Sequence, residues 1–158
     1  MKISTPLLSA GLLAVCVAAL ATALVAEHGF GLRPCNLCLI QRVPFVLAAL
    51  LAAAAWLRPG AAVWLLRLAG VVLLINGGIA VYHVGVEQHW WVSAVCPATA
   101  GGGPVSVANL LEEMNRPVEV SCDTPAWSFM GITMAALNVP FSALLGLFVL
   151  ISTRGSRP

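Results

Sequence analysis

Four long apolar stretches, residues 6–26, 39–57, 61–82 and 129–151, constrain this chain more than any other feature of it. Each approaches the roughly 20 helical residues needed to cross about 30 Å of hydrocarbon. A spanning segment has no water to pair its peptide groups, so it satisfies them internally as a helix. Composition agrees: 60% of residues are hydrophobic, 9% are charged and the mean hydropathy is +0.96, which excludes an ordinary water-soluble domain. The expected fold is a single all-α membrane domain over residues 1–158, a four-transmembrane-helix bundle. A cleaved signal peptide is the alternative for the first stretch, because Lys2 precedes it and Ala21-Thr22-Ala23 resembles a small-residue cleavage site. Its uncharged run is longer than the usual core of about 7 to 15 residues, and three spans follow, so an uncleaved helix is expected.

Eight basic and six acidic residues are spread thinly, which offers no nucleic-acid surface. With both termini cytoplasmic, Lys2, Arg58, Arg67, Arg154 and Arg157 fall on or near the inner side, as the positive-inside rule prefers. Arg33, Arg42, Arg116 and all six acids (Glu27, Glu87, Glu112, Glu113, Glu119 and Asp123) then fall outside, in or beside outer loops 27–38 and 83–128. Trp56 and Trp64 flank the short inner turn, while Trp90, Trp91 and Trp127 sit beside outer span ends, the pattern of interfacial belts. Within the long outer loop, Val105, Val107, Leu110, Leu111 and Met114 lie close to one face of Pro104 to Arg116, which suits a short helix on the membrane surface or over the bundle mouth. Gly101-Gly102-Gly103 before it reads as a hinge.

There are five cysteines. Cys16 lies mid-span among Ala, Val and Leu, where a thiol behaves as a small hydrophobe, and it is assigned no role. Cys35 and Cys38 form a Cys-x-x-Cys at the outer mouth of the second span, in the string Pro34-Cys35-Asn36-Leu37-Cys38-Leu39-Ile40-Gln41-Arg42. That spacing permits a reducible disulfide ring, and a helix N-terminus favours the thiolate that exchange requires. Half a zinc site has the same spacing, but no second Cys-x-x-Cys or His pair completes one, so no metal is expected.

Arg42 stands four residues after Cys38, on the same helical face, inside an apolar run. Placing an arginine there costs about 2.5 to 3.5 kcal/mol on insertion scales unless it snorkels outward, which marks it as a functional candidate. With Gln41 it offers a cation and an amide beside a thiolate, suited to a carbonyl-bearing acceptor that becomes anionic on reduction. Pro44 leaves open whether the helix bends or begins after Cys38.

Cys96 and Cys122, in the long outer loop, are the plausible partners for each other outside the Cys-x-x-Cys. Alone they read as a structural staple of an oxidising compartment. Beside a second pair at a helix mouth they also read as half of a thiol-disulfide relay. Resting connectivity stays open, since four cysteines admit three pairings.

These residues closely resemble the disulfide bond formation protein B (DsbB) family, quinone reductases that reoxidise the periplasmic dithiol oxidase DsbA. The likeness lies in the four spans, the Pro-Cys-x-x-Cys followed by Gln41-Arg42 and Pro44, the loop cysteine pair, and Trp127, Phe129, Gly131, Met134, Ala135 and Asn138 after the last cysteine. The resemblance implies a bacterial inner-membrane enzyme, associated with disulfide bond formation and chaperone work, whose active cysteines are periplasmic. A DsbA-like partner attacks Cys96, the freed Cys122 attacks Cys35, and Cys38 donates to a quinone, ubiquinone or menaquinone, with Arg42 stabilising thiolate and reduced ring. By the same comparison His83 matches a quinone-proximal histidine and Met134 a residue lining the ring, and with Arg42 and its neighbour Gln41 they are the expected quinone-binding residues. The family often carries an acid where Gln41 and Tyr82 stand here, which sets this chain apart at those positions.

Two other readings compete. A vitamin K epoxide reductase-like enzyme also combines a Cys-x-x-Cys with a loop pair, but there the motif lies late in the bundle, whereas here it opens the second span. A non-enzymatic membrane assembly factor with structural disulfides predicts that Cys35 and Cys38 tolerate replacement by serine.

Overall fold

The computed structural model of the protein describes residues 4–93, 95–96 and 120–155. The expected surface helix at 104–116, its glycine hinge and the charges Lys2, Glu112, Glu113, Arg116, Glu119 and Arg157 lie outside the described residues.

Four helices carry the fold: α1 (Thr5–Gly29), α2 (Asn36–Leu57), α3 (Ala62–Glu87) and α4 (Met134–Thr153). All four are long and apolar enough to cross a membrane. A single 3-10 turn, Pro59–Ala61, joins α2 to α3. Large apolar side chains such as Leu50, Leu68 and Leu144 point outward, more than half exposed, as a lipid-facing surface requires. Trp56, Trp64, Trp90, Trp91 and Trp127 are exposed near the helix ends.

Helices α2 and α4 each contain a proline, Pro44 and Pro140, and continue through it. Helix α2 begins at Asn36, so Cys38 and Arg42 are both helical, which answers the question Pro44 raised. The fourth helix begins at Met134, later than the apolar stretch that starts at 129. Residues Ser128–Phe129 (β1) and Ile132–Thr133 (β2) instead pair antiparallel as a small hairpin. Its two central residues, Met130 and Gly131, both have positive φ (52° and 80°), the conformation that tight hairpins use. Thr133 then caps α4, its Oγ1 accepting from Ala136 N at 3.1 Å.

Lipid tails are as apolar as a leucine side chain, so spanning helices associate through close packing and buried polar bonds. At one end of the bundle the core is Leu8, Leu12, Cys16, Ala48, Ala52, Ala55, Ala62, Leu66, Ala69, Leu73 and Val149. Small residues bring backbones together there: a Cβ added at Gly146 would sit 2.7 Å from the carbonyl oxygen of Gly70. Any side chain at Gly146 would push α3 and α4 apart. The other end of the bundle holds Cys35, Cys38, Cys96 and Cys122 with the buried polar side chains of Gln41, His83 and Thr133.

Candidate active site

Cys35 is the N-cap residue of α2 and its Sγ accepts from the backbone N–H of Cys38 at 3.3 Å. The Cys-x-x-Cys spacing makes this contact a product of local helix geometry, since the cap side chain meets the N–H three residues on. Cys35 and Cys38 are thiols with Sγ atoms 2.8 Å apart. Cys35 is buried and Cys38 partly exposed. Hydrogen bonding from the Cys38 thiol holds the Cys35 thiol well below its ordinary range. Desolvation opposes this, while His83 and the Cys38 N–H reinforce it.

Cys96 and Cys122 form a disulfide with Cα atoms 6.0 Å apart. They share one buried apolar cluster with Cys35, Leu37 and Val86, against which Cys38, Tyr82 and Val120 pack. The loop is tied to the mouth of α2 by Asn36, whose Nδ2 donates to the Val95 carbonyl at 3.1 Å. Ser93 Oγ accepts from Cys96 N at 3.1 Å, fixing the turn that carries the cysteine. Trp91 stacks on Tyr82 with ring centroids 5.8 Å apart and donates from Nε1 to the Tyr82 carbonyl. The indole occupies the space a side chain at Gly85 would need, with its Cζ2 atom 2.0 Å from a Cβ built there. A cavity of about 340 Å³ beside the disulfide is lined by Val86, His89, Trp90, Trp91, Cys96, Cys122 and Asp123 among others.

His83, buried in α3, faces the cysteines: its Nε2 lies 3.5 Å from Cys35 Sγ. On its other side Gln41 Nε2 donates to His83 Nδ1 at 2.9 Å. Glu87, one turn further along α3, places Oε1 3.8 Å from His83 Nε2, and its Oε2 accepts from Thr133 Oγ1 at 2.6 Å. One hydroxyl thus caps α4 and holds the carboxylate of α3. Arg42 Nη1 bonds Glu27 Oε2 of α1 at 2.7 Å, with both side chains mostly buried. Met134 is the first residue of α4, beside Thr133, with 45% of its surface exposed.

Of the residues singled out from sequence, Cys35, Cys38, Gln41 and His83 are linked atom to atom, and Cys96 and Cys122 share a cluster with Cys35 and Cys38. Arg42 and Met134 lie at the same end. Sequence reasoning missed Glu27, Glu87 and Thr133 as contacts, having counted the acids only as outer charges. It also passed over Asn76 and Ser142, whose polarity inside apolar spans was a signal. The atoms of Cys35, Cys38 and His83 also lie within 4.8 Å of one another, so a metal-capable trio exists that a search for paired motifs does not find.

A family model described as "Disulfide bond formation protein DsbB" matches residues 6–152. Curated relatives named "Disulfide bond formation protein B" include one from Aromatoleum aromaticum, 29% identical over 94% of this chain and 92% of its own. Another from Marinobacter nauticus is 30% identical over 87% and 86% of the two chains. A third, from an Azoarcus species, is 31% identical over 89% of each. No solved structure matches the chain. With the family model covering nearly all of the sequence and both cysteine pairs gathered at one end of a four-helix membrane bundle, this chain belongs to the disulfide bond formation protein B family.

Proposed function

We propose that the protein is a quinone-dependent protein-disulfide oxidoreductase of the bacterial inner membrane, with both termini cytoplasmic, that reoxidises a DsbA-like periplasmic dithiol oxidase. The observation that carries this reading is the single buried cluster holding both cysteine pairs. Disulfide exchange requires a thiolate to reach a disulfide sulfur, and pairs remote from each other have no such route.

In the proposed sequence, the partner's thiolate attacks Cys96, forming a mixed disulfide and releasing Cys122. Cys122 attacks Cys35 of the Cys35–Cys38 disulfide and releases Cys38 as a thiolate. The partner's second thiolate closes its own disulfide and frees Cys96, which attacks Cys122 and releases Cys35. The partner is now oxidised, Cys96–Cys122 is closed again and Cys35 with Cys38 holds two electrons. Closing Cys35–Cys38 delivers those electrons outward and regenerates the starting enzyme.

A quinone supplies the two-electron, two-proton acceptor when bound. The donors fit such a ring: partly exposed Cys38 stands on α2 one turn from Arg42, with Gln41 and His83 behind it and Met134 facing outward at the same end. In this reading Arg42, held by Glu27, stabilises negative charge on the Cys38 sulfur and on a reduced carbonyl oxygen. His83 and Gln41 order the buried side of the site.

The test follows quinone absorbance in purified protein mixed with a reduced DsbA-like dithiol protein and a quinone analogue. Cys38→Ser and Cys96→Ser should each abolish turnover, and Arg42→Ala should weaken quinone use while leaving partner exchange intact. Normal turnover by Cys96→Ser with the protein dithiol would overturn the relay. Tolerance of serine at both Cys35 and Cys38 would favour a structural assembly factor instead.

A further inference from the structure

A chain of side chains, buried at Asn76, Ser142, Gln41 and His83 and half-buried at Asn138, runs from mid-span to the cysteines and crosses three helices. Asn76 Nδ2 of α3 donates to Ser142 Oγ of α4 at 2.9 Å, and Ser142 Oγ donates to Asn138 Oδ1 at 2.7 Å. Asn138 Nδ2 donates to Gln41 Oε1 of α2 at 2.7 Å, and Gln41 Nε2 donates to His83 Nδ1 at 2.9 Å. Every link has the same polarity. An amide nitrogen only donates and an amide oxygen only accepts, so turning one member over forces its neighbours to turn as well.

The far end sets the direction. Asn76 Oδ1 is buried with no partner among the described residues, while its Nδ2 is bonded. A bare carbonyl oxygen is tolerated in protein interiors more readily than a bare N–H. The observed orientation is therefore the cheaper one. Its consequence reaches His83: with Nδ1 accepting, a neutral imidazole carries its proton on Nε2, which faces Cys35 Sγ at 3.5 Å and Glu87 Oε1 at 3.8 Å.

We propose that Asn138 is a positioning residue which, through Gln41, fixes His83 as the Nε2–H tautomer, so that His83 donates to the Cys35 sulfur rather than accepting from it. The inference deepens the proposed oxidoreductase reading and rests on it for the use to which the thiolate is put. The groups that face Cys35 are Cys38 of α2, His83, Glu87 and Tyr82 of α3, and the Cys96–Cys122 disulfide, which does not titrate. Helix α4 contributes the neutral Thr133 and Asn138, and Glu27 of α1 is engaged by Arg42. Removing the Asn138 amide frees Gln41 to turn its Oε1 toward Nδ1, which admits the other tautomer and withdraws the donor from Cys35.

The test labels histidine with nitrogen-15 and carbon-13 in the full-length reduced protein and reads the tautomer from the imidazole shifts, the His83 signals being those lost in His83→Gln. In parallel, thiolate ultraviolet absorbance is titrated against pH. The wild type should show the Nε2–H form. Asn138→Ala should show both tautomers, with the first thiolate midpoint raised by about 0.7 unit, the equivalent of one hydrogen bond. Ser142→Ala should move both readouts in the same direction by less, and Ser142→Thr, which keeps the hydroxyl, should match wild type. A wild-type Nδ1–H tautomer overturns the proposal, as does Asn138→Ala with an unchanged tautomer or midpoint. Should Asn138→Ala fail to fold, the two Ser142 variants decide by the same readouts. Quinone turnover is measured separately: its absence in a protein whose tautomer behaves as stated would sink the oxidoreductase reading and leave this one standing.

Discussion

The two ends of this bundle are held together by different physics. At the end remote from the cysteines, Ala48, Ala52, Leu66, Ala69, Leu73 and Val149 fill space, and the buried hydroxyls of Ser9 and Thr153 bond carbonyls of their own helices. The interhelical bond there, from Arg67 Nη2 of α3 to the Thr153 carbonyl of α4 at 2.9 Å, ends on a backbone acceptor whose direction the helix already fixes. At the cysteine end, Gln41, His83, Glu87, Thr133 and Asn138 link helices through bonds with a direction. The first arrangement tolerates sliding and repacking at a cost in stability. The second is sensitive to orientation, because a reversed amide changes what the next group can donate. Separating the two lets the far end secure the fold while the cysteine end keeps a soft, polarisable centre beside the membrane.

That contrast is breakable by substitution. The largest effect expected is for Cys38→Ala, which should remove turnover altogether while leaving detergent-denaturation stability close to wild type. A comparable loss of stability would mean that the cysteine end is as structural as the other. Next comes Gly146→Leu, which drives a side chain into the Gly70 carbonyl and should cost about 1 to 3 kcal/mol or more of stability. Its turnover per folded molecule should be unchanged, and selective loss of turnover would show that the seam between α3 and α4 transmits to the chemistry.

A smaller effect concerns ionisation at Cys35. The Cys38 thiol is the largest cause that lowers the Cys35 thiol, so in Cys38→Ala the midpoint should rise toward the ordinary thiol range. The sign follows from the hydrogen bond: it stabilises the anion, so removing it makes the proton harder to lose. Rates of alkylation at acidic pH should fall accordingly, and a midpoint that stayed low would transfer the cause to His83. Smallest is Glu27→Gln, which takes the carboxylate from Arg42 at a site 22% and 28% exposed. An ion pair of that kind is worth about 1 kcal/mol at most, so the apparent quinone affinity should change by about fivefold or less. An effect far beyond that would mean Glu27 sets the position of Arg42 rather than merely neutralising it.

Much of this was legible in the sequence. The spans were readable because hydrophobic length is a local property, and three of the four helices cover the stretches expected of them, extended at their ends. Helix α4 starts late because Met130 and Gly131 turn the chain, a feature that an apolar run conceals. Cys35 and Cys38 were found through a spacing whose meaning lies within one helical turn. Glu27 and Glu87 looked like surface charges because sequence gives depth along a span but not what stands across from it.

The sequence by itself determined that the chain is a four-helix membrane protein with a redox-shaped motif at one helix mouth and a second cysteine pair in a loop. Both follow from local facts: apolar length in a bilayer and the three-residue reach of a capping thiol. Only the tertiary structure decided that the two pairs share one buried cluster, that Arg42 answers to Glu27, and that an amide chain ends on His83. Those contacts join residues on different helices. They depend on how small residues such as Gly70 and Gly146 let the helices approach and rotate, which hydrophobic periodicity along the chain does not encode.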